Sequence, residues 1–371
     1  MKKAVVSAAL ICSIIFLALV SPAFGWEVIN LHPSGPSQSF GVDVSGGQQV
    51  GCVYPGPGVD VLHAGLWTGT AASWIDLNPA EASSSWVEGV SNGQQVGFAK
   101  YGFEHHAGLW NGTSDSWVDL NPSGYHDSEA WSTTGSIQVG DVYVNDRWHA
   151  ALWTGSANSW VDLHPAAYES RAYDVADGQQ VGYAKIGFDE HAGLWTGSAA
   201  SWVSLHPTNA VDSMAKGVSQ GRQVGYATML SDLWPHASLW SGSAASRIDL
   251  QPGGTLFSFA EDISGEWQVG SVVFQDEDFN RTGYASLWNG SAASWVNLHS
   301  LLGPEYSDSE AMAIEVSGDD IWVVGSAYNQ TLSASEAIMW HTTVPEPSSL
   351  LALGMGLVSG AGLLIRGRRR T

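Results

Sequence analysis

Three scarcities limit what this chain can be. The first is cysteine: the 371 residues contain two, Cys12 and Cys52. Cys12 falls inside an apolar leader, so Cys52 is left without an intramolecular disulfide partner. Cys52 stands where another repeat has Tyr183, which reads as a small buried apolar residue rather than a reactive thiol. The second scarcity is positive charge. Lys and Arg number 14 against 36 Asp and Glu, and six of the 14 lie at the ends (Lys2, Lys3, Arg366, Arg368, Arg369, Arg370). With Glu346 also set aside, the central region holds 8 basic and 35 acidic residues. Such a surface repels nucleic acid and anionic membrane, so no nucleic-acid partner is expected. The third is catalytic signature. There is no Gly-x-Ser-x-Gly elbow, no phosphate loop and no His-Glu-x-x-His. No catalytic residue, metal ligand or cofactor is assigned.

What the chain has is an internal repeat. A His-Ala-x-Leu-Trp unit places Trp at 67, 110, 153, 195, 240, 288 and 340, in steps of 42 to 52 residues. A Val-Gly pair precedes each unit: Val50-Gly51, Val96-Gly97, Val139-Gly140, Val181-Gly182, Val224-Gly225, Val269-Gly270 and Val324-Gly325. A segment like Trp202-Val203-Ser204-Leu205 follows the first six. Each repeat reads as four short strands, with Val, Tyr and Trp enrichment, period-two alternation and Gly, Ser and Asn punctuation. In the fourth repeat these are a first strand ending in the small-residue turn 172–178, then 180–184, 191–195 and 202–205. Gly197 supplies a positive φ in the loop joining the last two.

Four strands in about 43 residues is the signature of a β-propeller blade; a β-solenoid competes, but its rungs are shorter. The count of fourth strands favours the propeller. The seventh repeat stops after Trp340 with no fourth strand, while Val28-Ile29-Asn30-Leu31-His32-Pro33 matches Trp160-Val161-Asp162-Leu163-His164-Pro165 without three strands before it. The first strand of the mature chain is therefore expected to complete the last blade, which removes two free sheet edges. The expected architecture is all-β, a seven-bladed propeller over residues 26–343, closed by the N-terminal strand.

The ends read as address labels. Lys2 and Lys3, an apolar run from Ala4 to Val20 and small residues up to Gly25 form a signal peptide, residues 1–25. At the other end, Pro345-Glu346-Pro347 precedes an apolar segment over 349–365 and then Arg366, Arg368, Arg369 and Arg370. That segment is at the short limit for a membrane span, and its basic end stays cytoplasmic. Residues 344–371 closely resemble the PEP-CTERM sorting signal. The resemblance implies a Gram-negative exporter that makes exopolysaccharide, processing by an exosortase-type enzyme, and transient anchoring through the C-terminal transmembrane helix. The His-Ala-x-Leu-Trp units, preceded by Gly-x-Gln-Val-Gly, resemble the HAF-type repeats of bacterial extracellular proteins. Gly65, Gly108, Ala151, Gly193, Ser238, Ser286 and Ile338 stand where those repeats have Phe.

Residues that recur in blade after blade read as packing. His63, His106, His149, His191 and His236 open the third strand of five repeats, one per blade, too far apart to share an ion. Each is expected to tie its strand to a neighbouring turn. Function is expected where blades differ, in the loops between second and third strands. Glu104, Asp146, Trp148, Asp189, Asp232, Trp234, Asp276 and Asp278 would share one face there. Carboxylates with aromatic rings suit a sugar-binding face. The expected role is a non-catalytic surface or matrix component that binds polysaccharide or another matrix protein; the alternative is an extracellular glycan hydrolase or lyase. A Trp repeated in every blade wedges between sheets, so Trp195→Ala is predicted to cost about 3–5 kcal/mol, read as a lowered midpoint in a thermal melt; an unchanged melt would contradict the packing role.

Overall fold

The computed structural model describes residues 25–56 and 61–344. The expected leader up to residue 24, and the Pro-Glu-Pro motif, apolar span and Arg cluster from residue 345 onward, lie outside them. Seven four-stranded antiparallel sheets make up the fold. Blade 4 shows the plan: strand A Ser170–Ala176, B Gln179–Ile186, C Asp189–Trp195 and D Val203–Ser204. Blades 1, 2, 3, 5 and 6 repeat it over residues 38–76, 84–119, 128–162, 210–249 and 257–297. Blade 7 takes strands A to C from Tyr306–Ser317, Asp320–Asn329 and Ala334–Thr343, and strand D from Glu27–Asn30. Val28 pairs with Trp340 and Asn30 with Ile338, so the N-terminal strand closes the ring as expected.

Strand A is longer than the sequence suggested. Residues 172–176, read as the start of a turn, are strand; only Asp177 and Gly178 turn, both with positive φ. Strand D is shorter, two residues in each complete blade, because a single 3-10 turn such as Ala199–Ser201 precedes it. That turn is side-chain built: the Ser201 hydroxyl donates to the Ser198 carbonyl (2.6 Å) and accepts from the Thr196 amide (2.8 Å).

The repeat residues divide the work of holding this plan. The Trp of strand C is fully buried in all seven blades. The Gly of each Val-Gly pair lies against a carbonyl of strand A; a Cβ on Gly182 would stand 2.0 Å from the Arg171 oxygen. In blade 4 the x position of His-Ala-x-Leu-Trp is Gly193 because the Trp202 indole covers it; an added Cβ would meet that ring at 2.1 Å. Blades 5 and 6 have Ser there, and the covering side chain bonds it instead: Arg247 Nε donates to Ser238 (2.8 Å) and Trp295 Nε1 to Ser286 (2.9 Å). The strand-B Gln accepts the amide of the C–D loop glycine, as Gln180 does from Gly197 (2.7 Å). Blade 7 has no C–D loop, and Val323 occupies its Gln position opposite Trp340.

The third-strand histidines bond first to strand D of their own blades rather than to a turn, although His236 also meets Asp232 of the B–C turn through Nε2 at 2.9 Å. His63, His106, His149 and His236 each place Nδ1 2.7–3.1 Å from the strand-D aspartate (Asp76, Asp119, Asp162, Asp249). In blade 4 Ser204 takes the place of the strand-D aspartate, and His191 stacks on His206 at 3.9 Å.

Neighbouring blades are joined by a ring of serines on strand A. Ser85, Ser128, Ser170, Ser213, Ser258 and Ser309 each accept the amide of the strand-C alanine in the preceding blade at 3.0 Å. Ser39 accepts Ala337 across the closure at 2.9 Å. Six of these hydroxyls also meet the residue after the strand-D leucine, as Ser213 does with His206 Nδ1 (2.8 Å). Ser213→Ala orphans the buried Ala192 amide, so it is expected to lower stability by about 1–3 kcal/mol; a denaturant midpoint equal to wild type would contradict the clamp.

Candidate functional site at the channel mouth

The bulges of strand A create the part of the ring that does not repeat. Each strand A shifts register by one residue, at the same place in all seven blades. A bulge re-aims the extra side chain. The extra residues are Val42, Glu88, Trp131, Tyr173, Lys216, Glu261 and Met312, and all seven line one central chamber of about 290 Å³, with Arg171 at its side. Below it a narrower space of about 100 Å³ adds Asp43, Ser132, Asp174, Asp262 and Ala313.

The lower aspartates are structural clamps. Asp43 accepts the amides of Val44 and, in the next blade, Val90, both at 2.7 Å. Asp174 does the same for Val175 and Val218, and also accepts the Ser132 hydroxyl (2.6 Å). Asp262 joins Ile263 and Ile314. Burial pushes all three carboxyls up, Asp43 to about 7, against the downward pull of the donated amides. In the chamber above, burial raises Glu88 to about 8, reinforced by Glu129 and opposed by Lys216.

One side of the mouth is charged and aromatic. Arg171 donates to Glu129 (3.2 Å) and Asp141 (3.4 Å), and the Trp148 ring lies 4.5 Å from its guanidinium carbon. Trp131 Nε1 donates to Asp141 at 2.7 Å. Burial lifts Asp141 to about 8 in spite of Arg171. Lys216 sits 4.3 Å over the Tyr173 ring. Among the described residues, no three His, Cys, Asp or Glu side chains gather as a metal-binding set.

The eight loop residues singled out from sequence all lie at or beside the B–C hairpins, where strand A also begins. Trp148 reaches inward onto Arg171. Trp234 stacks on Phe257 (5.6 Å) under Arg281 (4.9 Å). Glu104 bonds His126 (2.7 Å), and Asp232 bonds His236 (2.9 Å). Asp276 caps its own loop, accepting the amides of Asp278 and Asn280 at 2.9 Å. Asp146 occupies a positive-φ turn. Asp189 opens strand C of blade 4 and is exposed, as is Asp278 in its loop. Only Trp148 among the eight touches the mouth cluster just described. The most exposed rings on this face are Phe103, Phe188 and Phe279, which are 80–97% exposed at hairpin tips. Cys52 is buried opposite Phe40, and burial pushes its thiol up.

Residues 343–370 match the PEP-CTERM protein-sorting motif, which marks an exported protein directed to the cell envelope and processed by an exosortase-type enzyme. No curated protein matches the chain in sequence. Among solved structures, puromycin hydrolase is similar at 11% identity and a TM-score of 0.54, over 80% of this chain and 53% of its own. The chain thus spans about half the length of that enzyme. An oligogalacturonate lyase in complex with manganese is similar at 9% identity and 0.53, over 88% and 95% of the two chains. The β-propeller domain of the trilobed protease from Pyrococcus furiosus is similar at 9% and 0.53, over 84% and 95%. At these identities the likeness shows the fold alone. No helix among the described residues is long and apolar enough to cross a membrane.

The raised carboxyls give the ring a signed pH response. A folded pKa above the unfolded value contributes stability that is present below the unfolded pKa and lost as pH rises through the folded one. Asp43 and Glu88 therefore destabilise the ring as pH rises from about 4 through 7 to 8. Glu88→Gln is expected to match wild type in a melt at pH 4 and to fall less steeply between pH 5 and 8; parallel curves would contradict this.

Proposed function

We propose that this exported propeller is a non-catalytic cell-envelope protein that binds carbohydrate polymer at its channel mouth. One observation carries the reading: the seven inner-strand bulges, equivalent in backbone, bear six different kinds of side chain around one chamber, with only glutamate used twice. A ring needs no such variety for its own packing. Trp131 and Tyr173 offer rings for the apolar faces of sugars, Glu88 and Glu261 accept hydroxyls, and Lys216 and Arg171 donate. The resemblance to HAF-type extracellular repeats and the exopolysaccharide association of the sorting signal agree with a matrix role.

The chain ends suit this use. Strand C of blade 7 runs from the B–C hairpin at Ala334 to Thr343, and Glu27 pairs with His341 beside that exit. Both termini leave on the face opposite the hairpins. A ring held by its C-terminal span therefore presents the mouth away from the membrane.

A glycan hydrolase or lyase is the second reading. It is favoured by the elevated carboxyls of Glu88 and Asp141, which keep a proton to donate at neutral pH. A glycan array with purified protein, followed by a reducing-end release assay, separates the two. Binding without release, and a loss of about 30-fold in Trp131→Ala, is expected. Release with turnover would replace the first reading by the second, and an array with no binding would sink both.

A further inference from the structure

The ring is underfilled in one place. In each blade a strand-B residue sits opposite the strand-A residue next after the clamp serine. The strand-B residue is Cys52, Phe98, Asp141, Tyr183 and Tyr226 in blades 1 to 5, and Ser271 and Ser326 in blades 6 and 7. Where the two serines stand, a cleft of about 310 Å³ opens between blades 6 and 7 and shares no lining residue with the central chamber. Ser326 lines it, is 5% exposed, and its hydroxyl has no protein partner. A buried hydroxyl left without a partner costs free energy that a ligand hydroxyl would recover.

The rest of the wall has one chemical character. Asp308 and Glu310 present carboxylates, Ser271 and Ser335 hydroxyls, and Tyr328 a ring that is 40% exposed. Asp308 is fixed by the Gly283 amide (3.2 Å) and the Ser307 hydroxyl (2.7 Å). Solvent reaches Glu310, yet the enclosing walls push its carboxyl up, with Glu261 adding to the effect. None of the lining residues is cationic. Two acids without a counter-charge repel an anion. The volume stands at the lower end of small-molecule sites, about 300–1,000 Å³, enough for one ring and not for a chain.

We infer that the cleft between blades 6 and 7 is a second subsite that takes one uncharged sugar ring, stacked on Tyr328 and bonded through Ser326 and the two acids. The inference rests on the carbohydrate reading of the mouth, but the two can fail separately. The test is saturation-transfer NMR and titration of the purified full chain with the methyl glycosides of glucose, galactose and mannose, with N-acetylglucosamine, and with glucuronate as the charged control. At least one neutral probe is expected to saturate at millimolar concentration while glucuronate does not. Ser271→Phe, which fills the cleft as Phe98 fills its own blade, is expected to abolish the signal. Ser326→Ala, with a wild-type melt, is expected to weaken binding about 3- to 10-fold, and it decides the matter if Ser271→Phe does not fold. Trp131→Ala is expected to leave these probes bound. Silence with every neutral probe, equal binding of glucuronate, or wild-type affinity in Ser326→Ala would overturn the subsite. If polymer binding is lost in Trp131→Ala while no single sugar binds wild type, the mouth stands and the cleft falls.

Discussion

Everything in this ring hangs on a hydrogen bond that occurs seven times. A serine hydroxyl on each inner strand accepts the amide of an alanine in the third strand of the blade before it. The amide is buried on the side where strand D ends, so its acceptor comes from the next blade. Six blades obtain this bond from a chain neighbour; the closing one obtains it between Ala337 and Ser39, nearly the full length of the ring apart. The buried Trp row and the strand-C histidines then fill the space these bonds define. Because the clamp is the same at every joint, the closure is held by the same bond as the other joints, although its strands are not joined in sequence.

That uniformity leaves the inner strands free to differ. The clamp fixes each strand A at its serine, and the bulge lies three residues later. Aspartates at Asp43, Asp174 and Asp262 use the freed geometry to reach the following blade's amides. The bulge side chains bear no such duty. The fold thus supplies a constant frame outside and a variable lining inside, the arrangement a recognition surface needs.

The parts that could be read from sequence are those whose physics repeats. Val-Gly marks the close approach of strand B to strand A, the Gly of His-Ala-Gly-Leu-Trp marks an indole lying over it, and the unpartnered segment at Val28 marks the closure. The lining was not legible, for a definite reason. A bulge inserts one residue and breaks the period-two alternation from which facing is inferred. Tyr173 and Asp174 accordingly looked like the approach to a turn. Laying the seven inner strands side by side after their serines would have exposed the signal, since the third residue takes six different identities in seven blades and Val or Ile follows two later in most. Trp148 and Trp234 have contacts that sequence does not reveal: one lies on Arg171 and the other between Phe257 and Arg281.

The account stands on the closing joint being equal to the other six. Native-state hydrogen exchange on the Ala337 amide, compared with Ala192 in the middle of the ring, tests that directly. The account predicts that both exchange only through global unfolding, with the same dependence on denaturant. Exchange of Ala337 by a low-energy local opening, while Ala192 stays protected, would mean that the ring is latched rather than closed, and the claim of seven equivalent clamps would be wrong.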